Sequence, residues 1–203
     1  MSFAYQTPRL PPLLTFADFL DWPGDGLGTR YELVDGVLRA MAPGSDTHNT
    51  IVTNLNGLLW LHLRQHRPGC RVATAPGVRP LTRANWNYRI PDLGVTCRPN
   101  RSGETLLPDP LLLVEVLSPS NAGDTWENVR AYATLPTVVE ILVVHSTQVL
   151  AEVLVRGADG SWPADPTPVG PGETLRLASV EASWPIEDVY HNTHLLRPDE
   201  AAS

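Results

Sequence analysis

The sequence predicts an α/β fold in which a mixed central sheet is flanked by helices. Residues 111–117 form an apolar run between prolines, as expected for a central strand that is buried on both faces. Residues 47–65 repeat apolar side chains at helical spacing, which indicates an amphipathic helix. Helices and strands then alternate along the chain. We expect one domain over residues 15–192, an N-terminal arm over residues 1–14 and a loose C-terminal tail over residues 193–203.

The first elements are predicted from short capping and turn signals. Thr15 and Asp18 form a helix-capping pattern, and this short helix should end before Pro23. The Asp35-Gly36 pair joins residues 31–34 to residues 37–41 and is typical of a β-hairpin turn. The long helix over residues 47–65 follows.

The remaining elements are predicted mainly from alternating apolar runs. Residues 124–135 should form a second helix, residues 157–172 a loop or hairpin tip, and residues 186–190 a terminal helical turn. Strands are expected at residues 72–75, 78–81, 89–95, 111–117, 138–144, 149–155 and 174–177.

Composition excludes some classes of function. The net charge is −7, and all 15 basic residues are arginine, which argues against a general nucleic-acid coat but leaves room for a local basic groove. No apolar stretch approaches the roughly 20 residues of a membrane span. No secretory signal is visible, so a cytoplasmic protein is expected. Cys70 and Cys97 are interpreted as buried thiols rather than as a disulfide.

One carboxylate interrupts the most apolar run of the chain. Glu115 lies inside the predicted central strand, where an ionised side chain costs several kcal/mol unless it is compensated. Asp92 lies in a second predicted strand that can fold back beside the first. A divalent ion between them would remove their repulsion, so we predict an Mg²⁺ or Mn²⁺ site made by both carboxylates and the Val116 carbonyl. In the alternative interpretation, Asp92 is a turn residue and Glu115 a paired core acid.

Several motifs occur in a recognisable order. They are Tyr31-Glu32-Leu33-Val34-Asp35-Gly36, Ala42-Pro43-Gly44-Ser45 with His48, Arg89-Ile90-Pro91-Asp92, and Val114-Glu115-Val116-Leu117-Ser118-Pro119-Ser120. This set resembles the Uma-two family of endonucleases, within the PD-(D/E)XK restriction-endonuclease-like superfamily. The resemblance implies a restriction-endonuclease-like mixed sheet and an Mg²⁺-dependent phosphodiesterase site that acts on nucleic acid, with DNA favoured. A homodimer is the favoured assembly, because two sites suit cleavage of two strands.

The resemblance also assigns residues to the site. It implies that Asp92 and Glu115 are the main catalytic acids, that Glu32 is a third acid and that His48 lies nearby. From the residues alone, Glu32 could instead be a solvated hairpin charge and His48 a capping residue. The position of His48 in the first turn of a helix predicts a neutral imidazole.

The main departure from the family pattern concerns lysine, which this chain lacks. Leu117 stands where the superfamily usually carries a lysine, and Asn128 stands where this family carries one on the following helix. Asp124, Asn128 and Tyr132 are four residues apart and share one helical face. Asn128 is therefore a fourth catalytic candidate.

The other candidates would support the site. They are His48, Asp124, Tyr132 and Arg89. Tyr132 could hydrogen-bond into the site or only pack. Arginines and aromatic residues between positions 79 and 101 either contact nucleic acid or form an ordinary polar rim. The alternative to a nuclease is a catalytically degenerate family member that binds nucleic acid or protein.

Overall fold

A six-stranded mixed sheet forms the centre of the molecule, in strand order β3-β4-β5-β6-β7-β8. The computed structural model describes residues 13–119 and 122–196. The central strands are β3 (Arg71–Thr74), β4 (Leu93–Thr96), β5 (Pro110–Leu117), β6 (Glu140–His145), β7 (Ala151–Val155) and β8 (Thr167–Val169). Strands β5 and β6 are parallel, and the other neighbouring pairs are antiparallel. The predicted α/β architecture with a mixed central sheet is confirmed.

Two smaller sheets, four α-helices and three 3₁₀ turns (Ala84–Trp86, Ala178–Val180 and His194–Leu196) complete the described part of the chain. The N-terminal hairpin pairs β1 (Tyr31–Val34) with β2 (Val37–Ala40), and near the C-terminus β9 (Thr174–Leu177) pairs with β10 (Ala182–Pro185). The helices are α1 (Phe16–Asp21), α2 (Asp46–His66), α3 (Ala122–Tyr132) and α4 (Ile186–Val189). None of the described helices is long and apolar enough to cross a membrane.

Strand β5 separates two hydrophobic cores. Leu112, Val114 and Val116 pack in the core that contains the apolar face of α2. Leu113 and Leu117 pack in the opposite core, together with Val129 and Tyr132 of α3. Side chains alternate along a strand, so Glu115 points to the same face as Leu113 and Leu117. The alternation of β5 therefore directs this carboxylate towards α3.

The local signals for the N-terminal elements are confirmed. Thr15 caps α1, and Asp18 completes the capping box. Asp35 and Gly36 both have positive φ, of 50° and 87°, as the tight β1–β2 turn requires. Ser45 caps α2 by accepting a hydrogen bond from the His48 N–H.

Some predicted strands differ from the structure. Residues 78–81 do not form a strand, because Val78 makes only an isolated bridge to Arg89. The predicted strand over residues 89–95 begins later, at Leu93, so Asp92 directly precedes β4. Strand β8 lies within the segment predicted as a loop or hairpin tip, and β10 was not predicted.

The prediction of two free thiols is wrong. Cys70 and Cys97 form a disulfide that extends the antiparallel β3–β4 pair by one residue beyond the Arg71–Thr96 pairing. This antiparallel pairing is what brings the two thiols together. Residues 1–12 of the predicted arm and residues 197–203 of the predicted tail lie outside the described residues.

Candidate active site

The N-terminal hairpin delivers Glu32 to the edge of the central sheet. Leu33 exchanges two backbone hydrogen bonds with Tyr88, of 2.9 and 2.8 Å, which fixes β1 against the segment that leads to Asp92. Glu32 is buried, and its Oε1 accepts a hydrogen bond of 2.8 Å from the Ile90 N–H. Burial raises the pKa of Glu32, and the Ile90 hydrogen bond and the charges of Arg89 and Arg39 oppose this rise only in part. Glu32 is therefore not a solvated hairpin charge.

Asp92 is fixed by one backbone group and one side chain. Its Oδ2 accepts a hydrogen bond of 2.7 Å from the Val116 N–H, which places the carboxylate beside β5. Its Oδ1 lies 3.3 Å from Nε2 of His48. Burial opposes protonation of His48, but the hydrogen bond and charge of Asp92 outweigh it and raise the imidazole pKa. The contact with Asp92 therefore acts against the neutral imidazole that the position of His48 in the first helical turn predicts.

Glu115 is buried to nearly the same extent as Glu32, with 6% of its surface exposed against 4%. Its Oε1 accepts hydrogen bonds from the Tyr132 hydroxyl at 2.6 Å and from Asn128 Nδ2 at 3.3 Å. Burial raises the pKa of Glu115 well above its ordinary value, and the nearby charges of Asp92 and Glu32 raise it further. Tyr132 thus hydrogen-bonds into the site as well as packing in the core.

Asn128 connects Glu115 with the other buried acid. Its Nδ2 also lies 3.4 Å from Oε1 of Glu32, so one amide group faces both glutamates. Its Oδ1 accepts a hydrogen bond of 2.9 Å from Nη1 of Arg89, which is 3% exposed. The other terminal nitrogen of Arg89 reaches Asn87 Oδ1 at 3.1 Å and Glu127 Oε1 at 3.3 Å.

A second set of charges borders this group. Arg39 pairs with Glu127 at 2.9 Å and with Asp124 at 3.3 Å. Partial burial works against ionisation of Glu127, but the hydrogen bonds and charges of Arg39 and Arg89 hold the pKa of this carboxyl below its usual value. Asp124 is therefore tied to Arg39 at the edge of the site, whereas Asn128 and Tyr132 lie inside it.

These residues border a cleft of about 1430 Å³. Its lining includes all three predicted acids, together with His48, Asp124 and Asn128. Arg30 and Arg39 also line it, but none of the arginines between positions 79 and 101 does. Of the predicted arginine cluster, only Arg89 contributes to the site; it donates a hydrogen bond to Asn128 without lining the cleft.

Two features of the acids suit a hard divalent cation. Glu32 and Glu115 both use Oε1 for internal hydrogen bonds, and no described residue donates a hydrogen bond to either Oε2. No ion pair between described residues reaches either glutamate.

The described residues contain no group of three histidine, cysteine or acidic side chains arranged to hold a metal. Since Mg²⁺ keeps several of its waters, two carboxylates and a carbonyl are a sufficient donor set.

Arg39 and Glu127 were missed by sequence reasoning. A register signal was available for Arg39, because the two-residue Asp35-Gly36 turn places it directly opposite Glu32 across the hairpin. Glu127 had no comparable signal, since its contact with Arg89 joins a helix to a distant loop.

The fold and the acidic cleft together define a restriction-endonuclease-like protein. A family model described as "Putative restriction endonuclease", the Uma2 family, matches residues 16–187. The chain is also 30% identical over 187 residues to the uncharacterized protein slr1290 of Synechocystis sp., with 91% of this chain and 95% of that protein covered. The chain therefore belongs to the Uma2 family.

A solved structure supports the same fold. The crystal structure of a putative nuclease belonging to DUF820 from Anabaena variabilis superposes with a TM-score of 0.68. The match covers 87% of this chain and 97% of that chain, at 14% sequence identity. Similarity at this level of identity shows a common fold.

Proposed function

We propose that the acidic cleft is the active site of a divalent-metal-dependent endonuclease that hydrolyses phosphodiester bonds of nucleic acid, with DNA as the favoured substrate. The observation that supports this proposal is the convergence of Glu32, Asp92 and Glu115, with Oε2 of both glutamates left without a described donor. Buried acids that no cation neutralises are costly for the fold. Membership of the Uma2 family supports the same reaction class.

In this proposal, Asp92 and Glu115 hold Mg²⁺ or Mn²⁺ together with the Val116 carbonyl. The bound ion would lower the pKa of an attacking water and neutralise charge on the phosphate. The Val116 N–H fixes Asp92, and Tyr132 and Asn128 fix Glu115, so both carboxylates are oriented before substrate binds. Such hydrogen bonds to ligand carboxylates maintain their geometry.

Glu32 and His48 are assigned the proton and orientation roles. Glu32 has a raised pKa, and its Oε2 accepts no hydrogen bond from a described residue, so it is suited to orient the attacking water and accept its proton. His48 would hold Asp92 in place and add positive charge near the substrate phosphate. Asn128 carries no charge, so we expect turnover to be slower than with an ammonium group at this position, by roughly 10²–10³-fold.

The test combines cleavage with metal binding. Plasmid DNA and single-stranded DNA are incubated with Mg²⁺ or Mn²⁺ and with wild type, Asp92→Ala or Glu115→Ala. Both variants should lose cleavage, whereas Glu104→Gln in an exposed loop should not. Calorimetric titration of Mn²⁺ should show binding to wild type and weaker binding to Glu115→Gln. Cleavage that persists unchanged in both alanine variants would refute the proposal.

A degenerate binding module is the second candidate. It is favoured by the engagement of the two arginines that border the buried glutamates, because Arg39 and Arg89 are both paired with Glu127. Asn128→Lys separates the two candidates. A large gain in cleavage shows an intact site that lacks only a cation, whereas no gain together with no Mn²⁺ binding favours the binding module. Gel filtration with light scattering tests the proposed homodimer.

A further inference from the structure

We infer that Arg89 is a positioning residue that acts through Asn128, fixing one amide group so that it donates to Glu32 and Glu115 together. This inference rests on the proposed function, because it assigns the means by which two acids of the proposed site are kept in register. The described hydrogen bonds of the Arg89 guanidinium go to Asn128, Asn87 and Glu127 rather than to either glutamate, and Arg89 does not line the cleft.

The orientation of the Asn128 amide follows from the chemistry of arginine. A guanidinium group has five N–H donors and no acceptor, so the Asn128 atom that faces Arg89 Nη1 at 2.9 Å must be the oxygen. The amide nitrogen then faces the opposite way, towards Oε1 of Glu32 and Oε1 of Glu115. A flipped amide would place its oxygen against two carboxylates and its N–H groups against a cation.

Arg89 is itself held rigidly enough to fix this orientation. Its side chain is almost fully buried, and its second terminal nitrogen contacts both Asn87 and Glu127. Arg39 holds Glu127 from the other side through an ion pair of 2.9 Å. The guanidinium therefore has three partners on its two terminal nitrogens and cannot turn away from Asn128 without losing contacts.

The consequence for the site is a bridge between like charges. Glu32 comes from the N-terminal hairpin and Glu115 from the central sheet, and the described residues give them no hydrogen-bonding side chain in common other than Asn128. The amide supplies one donor to the Oε1 atom of each glutamate and leaves both Oε2 atoms without a donor among the described residues. A structural role for Arg89 alone would require only that its charge be neutralised, which Glu127 already achieves.

Two isosteric substitutions separate positioning from structural support. Asn128→Asp keeps an oxygen for Arg89 but removes the donors to both glutamates. Asn87→Asp makes the same change at the other amide that Arg89 contacts, where the Nδ2 donors face Asp35, Thr82 and Arg83 instead. We expect Asn128→Asp to lower kcat by 10–100-fold at saturating Mn²⁺ with little change in KM, and Asn87→Asp to leave kcat near the wild-type value.

The second measurement needs neither substrate nor metal. In metal-free ¹⁵N-labelled protein, the Asn128 side-chain amide is assigned from the signals that vanish in Asn128→Asp. These protons should exchange slowly with solvent in wild type. In Arg89→Lys, whose single ammonium cannot contact all three partners at once, exchange should be at least 10-fold faster. Circular dichroism and the midpoint of thermal unfolding establish that each variant is folded.

The outcomes are distinct. Fast exchange of the Asn128 amide in wild type, or exchange unaffected by Arg89→Lys, overturns the inference, as does an equal loss of kcat in Asn87→Asp and Asn128→Asp. If wild type does not cleave nucleic acid, the proposed function fails while the exchange measurement still decides whether Arg89 fixes the amide. Slow exchange that depends on Arg89 supports the inference in either case.

Discussion

The buried acids should make the metal-free protein less stable as the pH rises. Burial and the charges of Asp92 and Glu32 raise the pKa of Glu115 well above the ordinary value of 4.5. The folded state therefore retains a proton on Glu115 at pH values where the unfolded chain has released it. When the folded state binds more protons than the unfolded state, the free energy of unfolding falls as the pH increases. Glu32, whose pKa is also raised, contributes with the same sign.

The contribution of Glu115 to the pH dependence of stability is best measured between pH 5 and 6.5. Below this range, Glu127 acts in the opposite sense, because its lowered pKa adds stability as the pH rises towards the ordinary value of 4.5. Above this range, His48 also lowers the free energy of unfolding as the pH rises. Its pKa is raised in the folded state, so the stability that its protonation provides is present below the ordinary value of 6.5 and is lost at higher pH. One proton accounts for a slope of at most about 1.4 kcal/mol per pH unit, or about 2 kcal/mol across this range.

Glu115→Gln isolates this contribution. The variant keeps an oxygen that can accept the Tyr132 hydrogen bond, but it has no proton to release. We expect its free energy of unfolding to fall less steeply between pH 5 and 6.5, by up to about 1.4 kcal/mol per pH unit. Urea unfolding in EDTA, followed by tryptophan fluorescence, measures both proteins, and Glu104→Gln is the exposed control. Parallel pH profiles for wild type and Glu115→Gln would refute the assignment of a raised pKa.

Three further predictions concern the cations and the disulfide. Asn128→Lys places an ammonium beside the buried acids and favours their ionised forms in the folded state. The free energy of unfolding should therefore fall less steeply with pH than in wild type, and an unchanged pH dependence would contradict this. Arg30 is exposed at the cleft and forms no ion pair with a described residue, so it should contact a substrate phosphate. Arg30→Gln should therefore reduce the slope of log K for DNA binding against log salt concentration by about 1, whereas Arg101→Gln should leave this slope unchanged. The disulfide closes a loop of 27 residues, so Cys70→Ala with Cys97→Ala should lower the free energy of unfolding by about 3.5 kcal/mol. A stability that dithiothreitol leaves unchanged in wild type would contradict this.

Local sequence signals were sufficient for much of the fold. The capping box at Thr15, the Asp35-Gly36 turn and the periodicity of α2 each act over a few residues, and each prediction is confirmed. The central strand β5 was predicted from its apolar run, and its pairing with β4 was predicted from the connecting loop. Strand β8 escaped prediction because it contains only three residues, two of them exposed.

The candidate site was less predictable where distant elements meet. The sequence identified Glu115 because an acid inside an apolar strand is costly, and it placed Asp92 beside it. It could not show that Asp92 would raise the pKa of His48, because that contact joins α2 to the start of β4. Arg89 was named as a supporting candidate, but its contacts could not be predicted, since its partners Asn87, Glu127 and Asn128 combine a nearby residue with two from α3.

The partners of Glu115 also bear on how the chain folds during synthesis. Tyr132 and Asn128, which donate hydrogen bonds to this carboxylate, follow it in the chain by 17 and 13 residues. A nascent chain that ends just after β5 has neither donor, so inserting the strand into a core would bury the acid without compensation. The ribosome must therefore release most of α3 before β5 can be buried at low cost, and the central sheet should consolidate only after that helix has emerged.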